Sequence, residues 1–123
     1  MKTVINGAIG LAPIADLAAY SLGDNSCEVV TEKLRGGYAI DLAERYALGS
    51  PSALLPSIDS ILIHGEGDTI VNISQSQRYA ASSSRASIIP LKGLGHFDMI
   101  NPEGPVFDRI IEALVRLKPE ATK

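Results

Sequence analysis

Three short apolar runs break an otherwise mixed chain: Val4–Leu11 (VINGAIGL), Ser60–Gly65 (SILIHG) and Ala86–Leu91 (ASIIPL). Short apolar runs bounded by glycine, proline or polar residues suit strands of a parallel sheet covered on both faces. Glycines interrupt the first run, and Pro90 removes a ladder donor near the end of the third. Elsewhere the period lengthens. Pro105–Leu117 sets Val106, Ile110, Leu114 and Leu117 at spacings of three and four, which makes one apolar helix face. Pro105 suits the first turn of that helix. Ile73–Ser82, with Ile73, Tyr79 and Ala80, predicts a second helix ending in a serine tract. Between Ile14 and Pro56 the pattern is looser. Asp41–Leu48 is helix-like there, with Gly36-Gly37 and Gly49-Ser50-Pro51 as breakers.

Strands alternating with helices predict an α/β domain: a short parallel sheet of about three strands, with right-handed crossovers and helices on both faces. The whole chain, 1–123, reads as one domain. Ligands of such sheets bind beyond the C-terminal strand ends. Asp68, in HGEGDT, follows the second strand, and His96, in KGLGHF, follows the third. Both are therefore expected at the same edge. An imidazole that acts as a base must be held in one tautomer, and a carboxylate on its far nitrogen does this. Asp68 and His96 are the candidate acid–base pair.

Charge and composition narrow the field. With a net charge of −3 and no basic stripe, the chain offers nothing to meet nucleic-acid phosphates. No apolar run approaches the roughly 20 residues that span a membrane. The opening MKTVINGA lacks the apolar stretch and cleavage site of a signal peptide, so a cytoplasmic location is expected. Cys27 is the lone cysteine, which excludes a disulfide framework and a thiolate metal site. No cofactor is expected.

Longer stretches carry a resemblance. HGEGDTIV resembles the acid-bearing loop of the α/β-hydrolase family, and GLGHFDMI resembles its histidine-bearing loop. AIGLAPIADL is similar to the family's sixth strand and following loop, and GGYAIDLAERYALGSPSALLP to the segment leading into the seventh. The likeness is to the esterase, lipase and acyl-peptidase-like branch. It implies that Asp68 is the triad acid and His96 the triad base, in the family's chain order. It also implies a partial hydrolase fold, its last three strands and their helices.

One departure is plain. The family nucleophile sits in a Gly-x-Ser-x-Gly turn after the fifth strand, and this sequence contains no such motif. The family's oxyanion donors also come from upstream segments. Losing one such donor costs roughly a hundred- to a thousand-fold in rate. The expectation is a hydrolase-derived domain that is not a competent serine esterase alone. Without a fifth strand, Val4–Leu11 becomes an open sheet edge, which invites another strand. The expected partner is a second copy paired antiparallel through Val4–Leu11 in a two-fold dimer. The alternative is an N-terminal hydrolase chain that supplies the nucleophile and restores ester hydrolysis.

Other residues have plainer readings. His64 reads as structural, hydrogen-bonding a neighbouring loop. His64, Glu66, Asp68, His96 and Asp98 match no metal-site spacing, so no metal is expected. Cys27 has nothing basic near it in sequence to activate it. Ser50, Ser52 and Ser76 lack a strand-to-helix elbow and read as caps or solvent contacts. Gly36-Gly37 reads as a turn, since no lysine-serine follows it.

Overall fold

The computed structural model describes residues 4–119. Its strands are β1 (Gly7–Leu11), β2 (Asp59–Gly65) and β3 (Ala86–Leu91). They pair in parallel in the order β1-β2-β3, with Leu11 opposite Ile63 and Gly65 opposite Leu91. The crossover from β1 to β2 carries α1 (Leu17–Tyr20), α2 (Ser26–Arg35), α3 (Ala43–Leu48) and α4 (Pro51–Leu54). Helix α5 (Ser74–Ser82) links β2 to β3, and a 3-10 turn (Phe97–Ile100) leads into α6 (Pro105–Leu117).

Alternation along β2 explains the layers. Ile61 and Ile63 point to one face and pack with Met99, Val106 and Ala113, under α6. Leu62 points to the other face and meets Ala15 and Tyr79, the latter on α5. Both faces of β2 are covered, which is why its sequence reads as a continuous apolar run. Full burial of an isoleucine such as Ile63 stabilises the fold by roughly 1.5–3 kcal/mol. His64 follows on the Leu62 side, so strand geometry directs it toward α5.

Two expectations need correction. The first strand begins at Gly7, not Val4; Val4 and Ile5 lie outside the ladder and are 72% and 65% exposed. The buried face of α6 is Val106, Ile110, Ala113 and Leu117, not Leu114, which is 54% exposed. Helix α2 falls in the segment where the apolar pattern was loose. Its ends are set by polar chemistry instead: Asn25 and Glu28 form a reciprocal capping box, and Gly36 closes it in a left-handed conformation.

The two sheet edges differ. β3 carries Pro90, which is exposed and blunts pairing. β1 (GAIGL) has neither proline nor charge. Beside it, Phe107, Ile111, Leu114 and Val115 put a second, exposed apolar stripe on α6. Ile5, Ile9, Leu114 and Leu117 line a groove between that helix and β1.

Candidate active site

Parallel pairing puts the C-terminal ends of β2 and β3 side by side, and the loops after them converge. Gly65 permits this. A side chain there would place its Cβ 2.2 Å from the Leu94 carbonyl oxygen, so only glycine allows the second loop to cross so close. Backbone bonds then lock the two loops: Glu66 N–H donates to Leu91 O at 2.9 Å and Gly67 N–H to Leu94 O at 3.0 Å. Asp98 accepts from Gly95 N–H at 2.6 Å, which shapes the turn that presents His96.

Asp68 and His96 meet here, 28 residues apart in sequence. His96 Nδ1 lies 2.8 Å from Asp68 Oδ2. The Asp68 side chain is fully buried, and the His96 side chain is 28% exposed. Oδ1 of Asp68 accepts from the N–H groups of Ile70 and Val71, each at 2.9 Å. With Oδ1 occupied, Oδ2 is left to face the imidazole. Nδ1 of His96 is therefore the protonated nitrogen, and its Nε2 lone pair is open, with no protein partner among the described residues. Phe97 sets its ring edge-to-face against the imidazole, centroids 5.5 Å apart.

Burial pushes the Asp68 carboxyl up, but hydrogen bonds from Val71 N–H, His96 and Ile70 N–H, with the His96 charge, outweigh it. The net result is a pKa held below the ordinary carboxylate value. Since the folded value is the lower one, Asp68 stabilises the fold fully above the ordinary carboxylate range. That contribution is lost as pH falls through the lowered value. Denaturant titrations from about pH 5 downward should show a steeper loss of stability in the unmodified chain than in Asp68→Asn. Parallel acid limbs would mean that Asp68 gains nothing from its partners.

His64 is buried and does hydrogen-bond a neighbouring loop. Its Nε2 lies 2.8 Å from Val71 O and 3.4 Å from Asp68 Oδ2, and its Nδ1 lies 2.7 Å from Ser76 Oγ. A carbonyl only accepts, so Nε2 carries the proton and Nδ1 accepts from the serine hydroxyl. Ser76 is thus a buried partner of His64, not a cap or solvent contact. Ser50 is buried too: its hydroxyl donates to Tyr46 O and accepts from Leu17 N–H. Glu66 is exposed, and Cys27 lies exposed on α2. No group of three His, Cys, Asp or Glu side chains has metal-site geometry among the described residues.

Sequence reading missed the residues that brace the acid loop from afar. Tyr20 and Asn25 both hydrogen-bond Ile70 O. Gln75, buried on α5, accepts from Ala15 and Asp16 N–H and donates to Asp16 O, tying α5 to the loop after β1. The Asn25-Ser-Cys-Glu28 capping signature was the one local signal among them.

Solved structures share this fold. Puromycin hydrolase, in a mutant form complexed with PGG, superposes with a TM-score of 0.72 at 20% identity, over 94% of this chain and 18% of that one. A thermophilic esterase from the Planctomycetes species Thermogutta terrifontis, with propionate bound, gives 0.65 at 20% identity, over 96% of this chain and 45% of that one. A bifunctional GH43-CE protein from Bacteroides eggerthii gives 0.66 at 23% identity, over 92% and 17%. This chain has part of the α/β-hydrolase fold. It spans less than half the length of each of these structures. Neither a protein-family model nor a curated protein sequence matches it. The hydrolase-type sheet here is three-stranded and parallel, with helices on both faces. No helix among the described residues is long and apolar enough to cross a membrane.

Proposed function

We propose that this chain carries the acid–base half of a carboxylic-ester hydrolase centre, with a serine on polypeptide beyond this sequence as nucleophile. The observation behind this reading is the Asp68–His96 hydrogen bond at 2.8 Å, with Nε2 of the imidazole left open. In such a centre His96 Nε2 takes the serine proton as the hydroxyl oxygen attacks the ester carbonyl. Asp68 stabilises the imidazolium that forms, and His96 then protonates the leaving alkoxide. A water deprotonated by the same nitrogen then attacks the acyl carbonyl, the bond to the serine oxygen breaks, and His96 returns the proton to that oxygen as the acid leaves. The Thermogutta esterase holds propionate, and forms phosphonylated by sarin are known for it, which is in keeping with nucleophilic chemistry on this fold.

Alone, the chain is expected to be inert. A base accelerates nothing without a positioned nucleophile, and no serine, threonine or cysteine hydrogen-bonds His96 among the described residues. Incubation with a fluorophosphonate followed by intact-mass analysis should leave the chain unmodified. A longer or complemented protein should gain one adduct on the added serine and lose it in His96→Ala. A stoichiometric adduct on this chain, abolished by His96→Ala, would sink the proposal.

A second reading rests on the unguarded β1 edge and the exposed apolar stripe of α6. A second copy that pairs through β1 would cover both, which makes the chain a self-associating, non-catalytic module. Sedimentation separates the readings. A tight dimer that persists when a complementing hydrolase segment is added favours the second, and a dimer displaced by that segment favours the first.

A further inference from the structure

The acid loop is anchored by two side chains distant in sequence. Tyr20 Oη donates to Ile70 O at 3.1 Å, and Asn25 Nδ2 donates to the same oxygen at 3.0 Å. That carbonyl belongs to the peptide unit whose other end is Val71 N–H, the group that donates to Asp68 Oδ1 at 2.9 Å. A peptide unit is planar and conjugated, so donors at its oxygen polarise its N–H. Hydrogen bonds in such a chain strengthen one another. Tyr20 and Asn25 therefore reach the carboxylate through one peptide.

The orientation of each donor is settled by its other contacts. Asn25 Oδ1 accepts from Cys27 N–H and Glu28 N–H, which leaves its NH2 group to face Ile70. Tyr20 is buried at the end of α1. Burial, then the charges of Cys27, Glu28 and Asp68, push its phenol above the usual value, so it remains a donor at neutral pH. From the elements packed around it, His64 of β2, His96 beyond β3 and Tyr20 of α1 are the titratable groups that face Asp68.

We propose that Tyr20 and Asn25 are positioning residues for the Asp68–His96 pair, acting through the Ile70–Val71 peptide to hold Oδ1 of Asp68 and so aim Oδ2 at the imidazole. The catalytic meaning of this link rests on the acid–base reading above. The link itself does not. It makes the crossover between β1 and β2 part of the site's support.

The test is NMR of the full chain, unmodified and as Tyr20→Phe, Asn25→Ser and the double variant. Phenylalanine keeps the ring, and serine keeps a helix N-cap. The readouts are the titration midpoint of Asp68, the tautomer of His96 and the exchange of its Nδ1 proton with water. A role confined to packing or capping moves none of these while the amide spectrum stays native. The unmodified chain should show the Nδ1–H tautomer. Each single variant should shift the Asp68 midpoint upward and speed Nδ1 proton exchange, with the largest shift in the double variant. Unchanged midpoint and exchange in folded variants overturn the proposal. If Tyr20→Phe does not fold, Asn25→Ser decides alone. Absence of the Nδ1–H tautomer in the unmodified chain overturns the acid–base reading too, which separates the two failures.

Discussion

Asp68→Asn should reverse the tautomer of His96 and, on the function proposed above, remove the base. Two backbone donors, Ile70 N–H and Val71 N–H, aim at Oδ1. An asparagine must present its carbonyl oxygen to them, because its NH2 group would meet two N–H groups head-on. The NH2 group then faces His96 Nδ1, which lies 2.8 Å from the present Oδ2. Nδ1 can only accept from it, so the proton moves to Nε2, the nitrogen that needs a free lone pair. In a hydrolase that contains this site, the wrong tautomer costs about ten-thousand-fold in kcat. The chain itself reports the switch: nitrogen NMR should read Nδ1–H before the substitution and Nε2–H after it. The same tautomer in both would mean that Asp68 does not orient the imidazole.

Gly65→Ala should destabilise the fold and break the same pair. Its methyl would sit 2.2 Å from Leu94 O and 2.7 Å from Leu94 C, both backbone atoms, so no side chain can swing aside. Forcing a methyl into such a space costs about 1–3 kcal/mol or more. Relief means moving the 94–96 segment away from β2, and His96 moves with it. Gly93→Ala is the control. Gly93 has φ +75° and nothing within 4 Å of an added Cβ, so only the left-handed conformation is penalised, by about 1 kcal/mol. Thermal unfolding should show the larger fall for Gly65→Ala, and the Nδ1 proton resonance should survive only in Gly93→Ala. Equal losses in the two variants would mean that the loop crossing tolerates a side chain.

Much of this architecture follows from local pattern. β3 spans the expected Ala86–Leu91, and β2 begins one residue before the expected Ser60, at Asp59. Each run is too short for a helix, rich in isoleucine and bounded by polar or turn residues, which decides for a strand although β2 is buried and β3 only half-buried. The first strand was less so. Val4 and Ile5 are apolar in sequence yet exposed in the fold, and periodicity cannot tell a ladder residue from one beside an open edge. On α6, Leu114 marks itself as core by hydropathy, but the smaller Ala113 takes the place under the helix. Side-chain size does not reveal which way a helix is rotated; the packed neighbours do.

The site divides the same way. That Asp68 and His96 lie beyond the C-terminal ends of two strands follows from the order of residues, since each loop is tied to its own strand. That they face each other at 2.8 Å follows from parallel pairing of β2 with β3 and from the close crossing at Gly65. Tyr20 and Asn25 stand 50 and 45 residues from Ile70, and no local spacing connects them. Residue order sets short-range preferences: which segments extend, where helices are capped, which loop holds which side chain. Distances between loops depend on how the layers close over the sheet. That closure is set by burial summed over the whole chain, so only the tertiary structure could decide which donors reach the acid.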